Sequence, residues 1–302
     1  MASFFSRFKA KDTSSGVGGH GGATAAAVPP AVALEIDGPT LASTLQNLLA
    51  ACEADGGVER YVEALKFKIS LFQDAFKNAG EGLSPENFAK LCMFMPTVRR
   101  RIGDNLEGEK YLVLMVAIKG LFGEGDIDAR IRAFQKKFPQ DKKHRWVKDL
   151  ATEVLHNTDP ELHPLMHRWI WDRKTNSGVI REIWFGDVDA ETLHVDDTYE
   201  VFLKLREELS GYLTENGIYS DVLYYVDLLC AQSYANYIAA QGGLYLKADF
   251  SSKEEPIVFT RRLLGLDGVA AKTNLEIAPS IIDGRANKKN SIADVLRLTG
   301  SN

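Results

Sequence analysis

Cysteine is scarce in this sequence, with three residues among 302, and Cys52, Cys92 and Cys230 lie far apart without a C-x-x-C pair. An odd, scattered set argues against both a disulfide framework and a cysteine zinc site. The three are expected as buried, reduced thiols of a reducing compartment, most simply a cytoplasm. Long apolar runs are also lacking. The longest, Tyr111 to Ile118, ends at Lys119 and falls well short of the ~18 residues that span a bilayer. G-x-x-x-x-G-K-[ST], H-E-x-x-H and G-x-S-x-G are absent. Gly16, Gly18 and Gly21 do spell G-x-G-x-x-G, but no strand precedes them and no helix follows to receive a phosphate. No internal repeat occurs at the usual periods. With a net charge of -5, the whole chain has no nucleic-acid footprint.

What is present is a succession of amphipathic helix patterns. Leu41, Leu45, Leu48, Leu49 and Cys52 form one apolar stripe, and Val58, Val62, Leu65, Ile69, Phe72 and Phe76 form a second. Ser84-Pro85 supplies an N-cap and a first-turn proline for a third, which Pro96 should end. Further helices are expected over 109–122, 126–138 and 142–156. Pro160 and Pro164 are competing helix starts, 179–185 reads as a short strand or a helical turn, and 187–196 reads as loop. Helix returns after Asp197, then over 221–241 with Ser220 as its cap, over 256–264, and from Ser291 onward. The expected fold is therefore all-α: about eight to ten helices in two packed bundles, 34–157 and 158–302, behind a disordered N-terminal arm and linker at 1–33.

The arm is patterned. Met1, Phe4, Phe5 and Phe8 recur as one helix face, while Arg7, Lys9 and Lys11 fall elsewhere. Such a segment suits a membrane surface, a groove on a partner protein, or an organellar presequence. A glycine-, alanine- and proline-rich linker follows it.

Three internal clusters invite a functional reading. Glu153-x-x-His156 is followed by His163 and His167, and a second E-x-x-H stands at Glu191 and His194. That spacing occurs in carboxylate-bridged metal bundles, provided both members lie on a helix. Trp169, Trp171 and Trp184 are interleaved with Arg168, Arg173 and Arg181, a composition found at interfaces. Arg99, Arg100 and Arg101 open a segment to Lys148 that carries 13 Lys/Arg against 7 Asp/Glu. With Lys136, Lys137 and Lys142 to Arg145 they could make a surface for phosphates or anionic lipid. The segment 181–217 reverses the balance, with 3 basic residues against 10 acidic.

Together these point to a non-enzymatic helical adaptor or accessory protein without cofactor. Its arm would tether it to a larger protein assembly or an anionic membrane surface, in the cytoplasm or at a membrane's edge, with an organellar matrix as the other location. Nucleic acid is not an expected partner. The rival is a metal-binding helical enzyme that uses Glu153, His156, His163 and His167, joined by Glu191 and His194.

Overall fold

A computed structural model describes residues 33–186, 191–241 and 255–268. The arm residues Phe4, Phe5, Arg7, Phe8, Lys9 and Lys11, and the helix expected after Ser291, lie outside the described residues. Of the described residues 63% are helical, and no strand occurs among them. Two isolated bridges, Ile36 to Trp184 and Asp172 to Ser177, are the only extended pairings there.

Local chemistry explains the first elements. The Asp37 carboxylate accepts from the Thr40 N–H and caps α1 (Gly38–Glu53), which buries Leu41, Leu45, Leu48 and Cys52 along one side. α2 (Glu59–Phe76) buries Tyr61, Val62, Leu65, Ile69, Phe72 and Phe76, and Lys68 lies on the same face. Ser84 caps α3 (Pro85–Cys92), and Pro96 starts the short α4 (Pro96–Arg99) where the pattern breaks. α5 (Gly108–Leu121) and α6 (Ile127–Gln135) follow, then α7 (Trp146–Thr158).

α7 is the central element. From Asp149 to Asn157 every residue is buried, and the helix packs against α2, α4, α5 and α6. The second half contributes α8 (Val179–Glu182), α9 (Tyr199–Glu215), α10 (Val222–Ala240) and α11 (Pro256–Leu263). α10 lies against α11, α1, α9, α8 and α2. Elements from either side of residue 157 thus share one contiguous core, from Leu41 to Leu266. The three cysteines are free and buried in it, and burial pushes the Cys52 thiol up to about 12. None is reactive in that setting.

Several expectations are corrected. Neither Pro160 nor Pro164 starts a helix, and 159–178 is a run of turns around the Asp172–Ser177 bridge. Of the two readings open for 179–185, the helical turn is the one found, as α8 over Val179–Glu182. Ser220 does not cap α10: its N-cap is Asp221, held left-handed at φ 59, with its carboxylate 3.0 Å from Lys66 Nζ. Gly178 closes the turn before α8 because a Cβ there would stand 2.6 Å from the Ile170 carbonyl oxygen.

Candidate functional site

The centre of α7 carries a network of buried charges. Glu153 Oε2 accepts from Lys68 Nζ at 3.0 Å and from Asn157 Nδ2 at 2.7 Å, and Lys68 also donates to the Leu264 carbonyl at 3.0 Å. His167 Nε2 stands 2.9 Å from Glu153 Oε1, a charge contact off the ring N–H direction and not an aligned hydrogen bond. One turn earlier, Asp149 takes a two-pronged contact from Arg168, at 3.2 and 2.8 Å. One turn later, His156 spans two acceptors: Nδ1 reaches the His163 carbonyl at 2.9 Å and Nε2 reaches Asp227 Oδ2 at 3.0 Å. Each α7 charge therefore meets a partner from a different part of the chain.

The electrostatics follow from these contacts. Burial alone would raise the Glu153 carboxyl, but the charges of Lys68 and His167 overcome it and hold the group at about 2. Burial alone would lower His156; the Asp227 carboxylate beside it reverses this and raises it. Geometry agrees with that direction, because the two His156 nitrogens reach the His163 carbonyl and the Asp227 carboxyl, both of which favour a protonated ring. His163, buried without a partner for Nδ1, is pushed down to about 4.

A pH dependence follows with a definite sign. The unfolded His163 binds a proton below its ordinary 6.5, while the folded one does so only near 4. Stability from this group is thus present above 6.5 and lost as pH falls towards 4. His156 acts oppositely, its contribution being complete below 6.5 and lost as pH rises through its raised value. Glu153 contributes above 4.5 and loses its contribution towards 2. Between pH 6.5 and 5 the loss belongs to His163. Urea midpoints should drop across that window in the wild type and drop less in His163→Phe; equal slopes would refute the assignment.

The described residues do not bring the expected metal ligands together. Both His156 ring nitrogens are already engaged, Nδ1 by the His163 carbonyl and Nε2 by Asp227. Glu153 already holds Lys68, Asn157 and His167. His163 and His167 lie in the turn region, not on one helix face, and the Glu191 and His194 side chains are exposed on a loop where the E-x-x-H spacing no longer aligns them. Among the described residues no group of three or more His, Cys, Asp or Glu could hold a metal ion.

The interface reading divides. Trp171 is fully buried with its indole N–H on the Val195 carbonyl at 3.2 Å, so it is not open to a partner. Trp184 is half-buried beside Ile36. Trp169 stacks on His167 and lines a cavity with Arg99 and Arg100. Arg99 is itself engaged, with Asp267 gripped at 3.0 and 2.8 Å.

Arg101 turns to a different place. It lines a groove of about 540 Å³ together with Lys110, Lys137, Lys143 and His144, so the fold gathers basic residues that are 42 positions apart in sequence. Asp104 and Glu109 also line it. Val113 forms part of the same wall and continues into an apolar stripe on α5, where Leu112 is 65%, Val113 45% and Val116 70% exposed. α5 buries Tyr111, Leu114, Ala117, Ile118 and Leu121 on its other side. A helix apolar all round normally has all its faces covered; this one does not among the described residues.

Sequence reasoning missed Lys68, Asp149, Asp227 and the α5 stripe. Two signals were available. Lys68 interrupts an apolar helix face at the spacing of Leu65 and Phe72, and Asp227 is the sole charged residue of α10.

The described part is an all-α body with a charge-paired interior and an amphipathic surface on α5, and none of its helices is long and apolar enough to cross a membrane. The chain matches no family model, no curated protein and no solved structure.

Proposed function

We propose that this chain is a non-enzymatic helical adaptor or accessory protein that attaches to an anionic membrane surface or a larger protein assembly. The N-terminal arm and the α5 face are its points of attachment. The observation that carries the reading is the exposed Leu112, Val113 and Val116 stripe running into a groove lined by Arg101, Lys110, Lys137 and Lys143. Apolar side chains beside basic ones match the boundary between acyl chains and anionic head groups. Each stripe residue contributes ~1.5 to 3 kcal/mol when fully buried and each basic residue about 1 kcal/mol near an anionic surface. Such attachment is reversible, and salt weakens its electrostatic part.

The arm supports the same reading through Phe4, Phe5 and Phe8, with Arg7, Lys9 and Lys11 among them. Affinity recovery with tagged full-length chain, run separately on soluble and membrane fractions, tests it. The wild type should recover with membranes or one defined assembly, and the variant with Phe4→Ala, Phe5→Ala and Phe8→Ala should lose most of that recovery. Unchanged recovery in the variant would count against the arm.

A further inference from the structure

We propose that residues 159–166 form an acid-released strap: protonation of His163 frees this turn from α7 and α9 and uncovers the apolar seam beneath it, while the helical body stays folded. The release is local, unlike the global loss of stability derived above, and it is independent of the α5 face.

The strap is held through its carbonyls, four of which in succession meet donors on other elements. Arg206 Nη1 of α9 donates to the Pro160 carbonyl at 3.0 Å and to that of Glu161 at 2.9 Å. The Tyr199 hydroxyl donates to the Leu162 carbonyl at 2.6 Å, and His156 Nδ1 of α7 reaches that of His163 at 2.9 Å. The amides of Leu162 and His163 turn back on Asp159 within the strap itself. Pro160 and Pro164 have no N–H to donate, so the turn joins no helix and its place depends on those side chains. Beneath it, Pro160, Pro164 and Leu165 meet Phe202, Leu205 and Val226 around a cavity of about 20 Å³. Leu165, Phe202 and Leu205 are buried there, and opening bares them.

His163 is the trigger because it is 5% exposed and its Nδ1 has no hydrogen-bond partner. Its ring stands edge-on to Tyr199, with centroids 5.9 Å apart. Charges reach it from each neighbouring element: Arg130 of α6, His156 of α7 and Arg206 of α9 oppose a proton, and Asp159 favours one. Asp227 of α10 is engaged by His156, and Asp128 of α6 by the Tyr199 N–H. A proton on the closed ring therefore adds a buried charge beside cations, with no acceptor at Nδ1.

Burial first, and those cations second, push the closed His163 down to about 4, whereas the released ring returns to its ordinary 6.5. The closed strap is thus favoured above 6.5 and loses that advantage as pH falls towards 4. From pH 7 to pH 5 the opening constant rises about twentyfold.

Amide hydrogen exchange of full-length chain, read by mass spectrometry and corrected for the intrinsic pH dependence of exchange, measures that constant. Peptides covering 159–166 should show the twentyfold rise, while 150–157 of α7 stays at least tenfold better protected at both pH values. His163→Phe and His163→Gln should each flatten the rise to less than threefold. Tyr199→Phe keeps the ring and removes the hydroxyl, so it should speed strap exchange at both pH values and leave their ratio in place. Thermal melting at pH 7 checks that each variant folds. A strap that exchanges in step with α7, a wild-type ratio near one, or a full ratio in both His163 variants would overturn the proposal.

Discussion

Lys68→Met is expected to cost about 3 to 5 kcal/mol of folding free energy, read as a fall in the urea midpoint at pH 7. Lys68 is 3% exposed and Glu153 1%, so removing the ammonium leaves a carboxylate in the interior with only Asn157 and His167 to balance it. It also strips the Leu264 carbonyl of its donor. Water cannot take the place of either contact without opening the packing of α2 on α7. The double variant Lys68→Met with Glu153→Met removes the charge as well as its partner, and it should regain at least half of the loss. A single variant within about 1 kcal/mol of the wild type would show that the pair is not what the geometry says. The size of the effect is a statement about breaking a pair, not about its net worth, since apolar replacements of buried pairs are often neutral.

Gly265→Ala is expected to be worse, costing more than about 4 kcal/mol or preventing α11 from docking. Its φ is 73, in the left-handed region, and a Cβ there would lie 1.9 Å from the carbonyl oxygen of Phe94. That contact is with backbone, so no rotamer change can relieve it. Gly125→Ala is the matched control: its φ is 96, but nothing lies within 4 Å of the added atom. It should show only the conformational cost, about 1 to 2 kcal/mol. Urea unfolding of the two variants side by side separates the steric clash from the backbone strain, and equal losses would remove the close approach from the account.

The helices were legible in the sequence because their physics is local. The stripe of Leu41, Leu45 and Leu48, the Ser84 cap with Pro85, and the break at Pro96 each follow from a few neighbouring residues. What was not legible is what depends on pairing at a distance. Glu153 and His156 looked like metal ligands because the E-x-x-H spacing says nothing of Lys68, 85 positions earlier, or of Asp227, 71 positions later. The same limit applies to Arg99, Arg100 and Arg101. Consecutive in sequence, they divide between two sites, Arg101 to the basic groove and the other two to the aromatic cavity. The α5 stripe escaped notice for the opposite reason. An apolar run such as Tyr111 to Ile118 reads as core throughout, and only the packing of its neighbours decides which of its faces stays open.

The most direct test of the attachment surface is co-sedimentation of full-length chain with vesicles of phosphatidylcholine alone and of phosphatidylcholine with phosphatidylserine. The wild type should sediment with the anionic vesicles and much less with the neutral ones. Leu112→Ser with Val116→Ser should lower that binding at least tenfold while leaving the melting temperature in place, because both side chains already face solvent. Binding to anionic vesicles unaltered by the double variant, or equal binding to both kinds of vesicle, would contradict the account of the α5 face as the surface that meets a membrane.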